Sequence, residues 1–335
     1  MLVPVLLFLL GLFMLIKGGD WFVDGATGIA RRFRLPEIIV GATVVSIGTT
    51  LPEVMVSASS AVKGHGEIAY GNAVGSVICN AALIAALTLA IRPGKVDRKS
   101  FRTPVIFFYA AAAFYLFNAY MFGGFARWAG LVLLAVFAVY LAVTIRQSLA
   151  ASALDAGGNA QERESGADSQ EAHAAAKEKP LWLEIVLLVV GAALIAFGAD
   201  LLVDNGTLIA SALGVPEAVI ALTFVALGTS LPELVTAGAS LAKGHGALSL
   251  GNVIGANLFN LVLVSGLAIT LNPFTLPAEK TLAGMNFSLV VDVPVMFGVM
   301  LILTVPALAR GKMYRWQGIA LLTIYAAFCV LQFVL

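Results

Sequence analysis

Charge is what this chain has least of. Only 12% of its 335 residues are Asp, Glu, Lys or Arg, whereas a soluble domain carries about a quarter. The net charge is +1 and no basic stripe occurs, which excludes a nucleic-acid-binding surface. Cysteine is nearly missing. Cys79 and Cys329 both lie in apolar segments and read as packed thiols rather than a disulfide framework. What remains is apolar: 60% hydrophobic residues and a mean hydropathy of +0.96. That excess excludes an ordinary soluble globule and points to a polytopic membrane protein.

Apolar runs of the length that spans a bilayer, about 20 residues, fall near residues 2–30, 36–62, 67–91, 101–120 and 125–147. Five more fall near 181–210, 216–242, 247–271, 286–308 and 315–335. A closed barrel would show short alternating strands instead, so the fold expected is all-α with ten transmembrane helices. Five crossings is an odd number. The second set therefore enters from the opposite side, and residues 1–147 and 181–335 form two inverted five-helix repeats. The opening segment, MLVPVLLFLLGLFMLI, lacks a basic start and aligns with the internal segment at Leu181, so it reads as a retained first helix. Residues 148–180 hold six acids and three bases with little aliphatic bulk and read as a flexible linker. No loop there has the spacing of a calcium hand.

Sixteen of the lysines and arginines fall on loops one, three, five, seven and nine, against Lys63, Arg127 and Lys280 on the others. The basic loops belong in the cytoplasm, which puts the linker there and both termini outside a plasma membrane.

One segment is stated twice. The 45 residues 36–80 align without a gap on 216–260, an offset of 180, with 18 identities. Shared positions include Thr49 with Thr229, Glu53 with Glu233, and Asn80 with Asn260, all oxygen-bearing side chains inside apolar stretches. Pro52 lacks the amide that would bond the Gly48 carbonyl, and Pro232 does the same to Gly228, so helices two and seven are expected to break there. Each break bares carbonyls at mid-membrane, which is tolerated only when buried or lining a wet cavity. Thr49 and Glu53, four apart, share a helix face, as do Thr229 and Glu233. A second polar pair follows at Ser76 and Asn80, answered by Ala256 and Asn260. Glycines 71, 75, 251 and 255 form small-residue patterns that read as packing.

An ionisable group at the bilayer centre costs several kcal/mol and marks function. Two carboxylates with hydroxyls, amides and carbonyls suit hard cations, calcium or sodium, and not zinc or copper, which want His and Cys. Two negative charges balance one divalent or two monovalent ions. An empty site would be costly to move across the bilayer, so exchange follows. No cofactor is implied.

The paired G-T-[ST]-L-P-E and G-N-x-x-G-x-x-x-x-N segments resemble the alpha repeats of the cation/calcium exchanger superfamily, in its sodium/calcium exchanger branch of prokaryotic type. The resemblance implies that Glu53 and Glu233 bind calcium with the Thr49 and Thr229 carbonyls. It places sodium at sites using Ser46, Thr50, Ser76, Ala226 and Ser230, with Asn80 and Asn260 in the central layer. It also implies that helices one and six slide across a core of helices two, three, seven and eight. Ala256 departs from the serine common there, and Asn260 leans against potassium co-transport, since potassium-dependent relatives carry aspartate. A monomeric sodium/calcium antiporter surrounded by membrane lipid, and not an enzyme, is the leading reading. A proton/calcium antiporter of the same fold is its nearest rival. An intramembrane metalloenzyme using Glu53 and His65 is disfavoured by the duplication, and a passive channel by carboxylates set at helix breaks. Asp20 with Asp24 and Asp200 with Asp204 read first as capping or helix-bridging groups, His65 and His245 as solvated loop residues. Asp292, before Pro294, is open between a structural and a functional part.

Overall fold

The computed structural model describes residues 2–33, 35, 37–162, 180–212, 230–278 and 281–334. The chain opens with α1 (Leu2–Arg32). A short α2 (Glu37–Val40) passes through a π-helical stretch, Gly41–Val45, into α3 (Ser46–Val62). Next, α4 (Gly66–Cys79), a π stretch at Asn80–Ala85 and α5 (Ala86–Ile91) form one rod. Helices α6 (Arg98–Phe122) and α7 (Arg127–Glu162) end the first half. The second half runs through α8 (Leu181–Ala212), α9 (Leu231–Ala242) and α10 (Gly246–Phe259). A π stretch at Asn260–Val264 leads into α11 (Ser265–Leu271), and another at Ser288–Asp292 leads into α12 (Val293–Arg310). Helix α13 (Arg315–Val334) closes the chain.

Among the described residues, 8 helical rods are long and apolar enough to cross a membrane. Helices α9 and α13 take the places of the other two crossings, so the architecture is the all-α, ten-helix inverted repeat that the sequence implies. Local chemistry sets the ends. Asp97 caps α6, its carboxylate accepting from the amides of Lys99 and Ser100. The two Lys-Gly-His-Gly turns are built alike, because Gly64 and Gly244 share a φ of +85°, a conformation closed to most side chains. Strand β1 (Gly124–Phe125) pairs antiparallel with β2 (Phe274–Thr275), tying the fourth loop to the eighth. A hairpin of β3 (Thr281–Leu282) and β4 (Met285–Asn286) follows.

The proline positions behave differently in the two halves. Pro52 interrupts hydrogen bonding and not the helical path, since α3 is helical from Ser46 to Val62 with the proline inside. Pro232 stands in the first turn of α9, where the missing amide has no partner to lose. The segment expected to be a linker also differs: α7 continues helical to Glu162, because LAASALDA is rich in strong helix formers. Residues 163–179 lie outside the described residues.

The main core packs α4, α6, α7, α10 and α12 around Phe101, Phe108, Tyr115, Tyr140 and Phe259, all fully buried. A second cluster joins α1 to α8 through Leu15, Phe22 and Ile195. Glycine makes that antiparallel contact close. A Cβ built on Gly18 would lie 2.9 Å from the Gly191 carbonyl oxygen, and one on Gly198 would lie 2.9 Å from that of Gly11. The repeat offset turns Gly11 into Gly191 and Gly18 into Gly198, so the two contacts are images of each other. Cys79 and Cys329 are free thiols.

Candidate functional site

The site lies where α3 and α9 meet α4 and α10. Glu53, on α3, and Glu233, in the first turn of α9, are both 0% exposed. No hydrogen bond of ordinary geometry reaches either oxygen of either carboxylate, although the Thr49 hydroxyl approaches Glu233. The two are near enough for the charge of Glu233 to act on Glu53. No Lys or Arg forms an ion pair with either; among the described residues the ion pairs are those of Lys243. Two unpaired carboxylates at full burial are tolerable only when something cationic or protonated joins them.

Further buried polar atoms lie on the same helices and on the π stretches that adjoin α4 and α10. Thr50 Oγ1, Ser230 Oγ and both side-chain polar atoms of Asn80 and Asn260 are buried without partners. Ser76 is buried as well. Asn80 and Asn260 each open a π-helical stretch, at matching places in the two halves. A π turn displaces the i→i+4 bonding by one residue and loosens the carbonyls beside it, a feature frequent at functional sites. Thr229 and Ala226, expected at the second copy of the site, lie outside the described residues.

One residue that bonds the expected site residues escaped the sequence reading. Asn252, on α10, accepts from Thr49 Oγ1 at 3.2 Å and from Ser46 Oγ at 3.3 Å, while its backbone carbonyl accepts from Ser46 at 2.9 Å. The Gly41 carbonyl, at 2.7 Å, is the nearest of three acceptors that share the single Ser46 hydroxyl proton. Close glycine packing allows this: a Cβ on Gly255 would collide with Ser46 Oγ, and one on Gly41 would lie 2.8 Å from the Asn252 amide nitrogen. The matching Asn72 donates to the Glu53 carbonyl at 3.1 Å and to Ser57 Oγ at 2.8 Å. The signal was available in the sequence, for Asn72 and Asn252 are identical between the repeats and sit beside glycines.

Chemically, the set offers two carboxylates and neutral oxygens. Oxygen donors of this kind match hard, oxygen-seeking cations. A cavity of about 900 Å³ lies between α3 and α8, lined by Pro52, Pro232, Met55, Asp200 and Asp204 among others, and so reaches the prolines that flank the carboxylates. Asp20 and Asp24 bridge helices through Lys243, and Asp292 accepts from Gln332 Nε2 at 2.8 Å, tying the π stretch before α12 to α13.

An inverted repeat whose two copies each send a carboxylate to one buried oxygen-lined site defines a membrane cation exchanger. The sodium/calcium exchanger family model matches residues 3–146 and 183–334. The chain belongs to that family, which is one of transporters and not of enzymes. It is 31% identical over 353 residues to sodium/calcium exchanger MaX1 of Methanosarcina acetivorans, covering 99% of each chain. An uncharacterized membrane protein of Methanocaldococcus jannaschii is 35% identical over 319 residues, 95% of this chain and 94% of that one. The solved structure of the sodium-calcium exchanger NCX_Mj, soaked with sodium and strontium, superposes with a TM-score of 0.75 at 32% identity, covering 97% of both chains.

Proposed function

We propose that this chain exchanges sodium for calcium by alternating access, with Glu53 and Glu233 as the central calcium ligands. Their complete burial without partners carries the reading. The Thr49 and Thr229 carbonyls complete the calcium site. Ser46, Thr50, Ser76, Ala226 and Ser230 contribute to flanking sodium sites, with Asn80 and Asn260 in the central layer. Bound cations neutralise the carboxylates, and the neutral loaded site crosses where the empty one would face a prohibitive desolvation cost. Coupling follows from that difference. Support for the ion pair comes from family membership and from the names of its relatives. The protein works as a monomer in the plasma membrane, with its termini outside and residues 148–180 in the cytoplasm, an orientation supported by the basic loops.

The test is calcium uptake into sealed proteoliposomes under an outward sodium gradient, a proton gradient or neither. Sodium-driven uptake is expected. Uptake driven by protons and indifferent to sodium would assign the rival coupling, and uptake needing no gradient would indicate a channel.

A further inference from the structure

A charged contact outside the site joins the two halves. Lys243 Nζ lies 2.8 Å from Asp24 Oδ1, 3.4 Å from Asp20 Oδ1 and 2.8 Å from the Asp20 carbonyl. It fastens the end of α9, the helix bearing Glu233, to the C-terminal half of α1. The offset of 180 that relates the repeats carries Asp20 onto Asp200, Asp24 onto Asp204 and Lys63 onto Lys243. All six residues of a two-fold symmetric pair of bridges are therefore present in the chain. Only one bridge is closed: among the described residues no ion pair joins Lys63 to Asp200 or Asp204. Those two aspartates instead line the 900 Å³ cavity beside Pro52 and Pro232.

A structure that obeyed the repeat symmetry throughout would close both bridges or neither. Closing one and opening the other is the asymmetry that an inverted repeat shows when the site faces one side. Helices α1 and α8 hold each other through the paired glycines, so they move as a unit. A shift of that unit relative to α3 and α9 that brings Asp200 and Asp204 towards Lys63 draws Asp20 and Asp24 away from Lys243.

We propose that Lys243 with Asp20 and Asp24, and Lys63 with Asp200 and Asp204, are alternating latches, one closed in each of the two states that face opposite sides. These are positioning residues: they touch no transported ion and set the balance between states. The proposal rests on the alternating-access reading. It adds that the balance is held by charge pairs at the two membrane faces, where partly exposed groups exchange partners at small cost.

The test uses pulsed electron resonance on the full chain in nanodiscs, with Cys79→Ala and Cys329→Ala removing the native thiols. Spin labels go on Val62→Cys and Leu208→Cys, both exposed. The distance between them reads the gap at the Lys63 face. In the parent a long distance dominates. Lys243→Gln should raise the short-distance fraction about three- to tenfold, since the loss of one charge network shifts a two-state balance by that order. Asp20→Asn with Asp24→Asn should do the same. Lys63→Gln should lower the fraction, and the double variant Lys63→Gln with Lys243→Gln should return it towards the parent value. A swap of Lys243→Asp with Asp24→Lys should restore the parent distribution if pairing is the cause. Unchanged distances in Lys243→Gln, or a shift in the same direction by both lysine variants, would overturn the latches. Sodium or calcium titration of the same labels separates the two readings. If ions move the distances and the lysine variants do not, only the latches fail; if ions move nothing, alternating access itself fails.

Discussion

Thr49 and Asn252 meet across the two halves of the chain, the threonine hydroxyl donating to the asparagine Oδ1 at 3.2 Å. One residue belongs to the first repeat and the other to the second, so the geometry of α3 at the site depends on how α10 packs against it. Asn252→Ala should weaken calcium uptake about fivefold through a higher KM, the scale of one lost buried hydrogen bond. Uptake kinetics in proteoliposomes check it, and Asn252→Ser should recover part of the loss.

The carboxylates make an opposite demand on stability and on transport. Glu53→Gln and Glu233→Gln should each abolish uptake. Each should also raise the Tm of the ion-free protein, because a buried unpaired charge is removed. Calcium at about 100 times Kd stabilises a binding protein by ~2.7 kcal/mol, and that gain should vanish in both variants. Thermal melts with and without calcium would show it. Ion-dependent stabilisation that persists in both variants contradicts the assignment.

The glycine seam between α1 and α8 is sterically full. Gly18→Ala places a methyl 2.9 Å from the Gly191 carbonyl oxygen and from the Ile195 amide nitrogen, a contact that forces backbone to move. A loss of about 1–3 kcal/mol is expected, read as a lower denaturation midpoint. Gly191→Ala should cost as much. Gly71→Ala, which meets nothing within 4 Å, serves as the control and should cost little.

Asp97 supplies a pH-dependent element outside the membrane. The Ser100 hydroxyl, at 2.6 Å, and the amides of Lys99 and Ser100 hold its carboxyl below the usual range. A folded-state pKa below the unfolded one gives stability that is present above the unfolded value, about 3.9, and is lost as pH falls through the folded value. Asp97→Ala should destabilise the protein by about 1 kcal/mol at neutral pH and flatten the Tm profile below about pH 4. Melts from pH 7 downwards test both effects.

Much of the fold was legible because a bilayer restricts what a chain can do: apolar runs become helices, and an odd number per repeat inverts the second. The burial of Glu53 and Glu233 without ion pairs is what the sequence led one to look for, since carboxylates in apolar runs have few other uses. The π-helical stretches at Asn80 and Asn260 were not, because one extra residue in a helical turn leaves apolar periodicity almost unchanged. Nor was Asn252, whose partner Thr49 is 203 residues away and fixed only by how the repeats dock. The helix through Pro52 shows the limit of a local rule, for flanking packing carries the chain past a missing hydrogen bond. The helical run to Glu162 shows another, as charge density suggested a coil where alanine content favoured a helix.

The paired glycines of α1 and α8 make the contact between the halves an isologous one, in which the same patch meets itself across a two-fold axis. Gly11 against Gly198 and Gly18 against Gly191 are the contacts that two copies of a single five-helix protein would make if they lay antiparallel in one membrane. In that sense the chain is a dimer whose subunits have been joined. Once joined, the two halves no longer had to stay identical, and the sequence was free to place serine at 46 and alanine at 226, positions that the repeat offset makes equivalent.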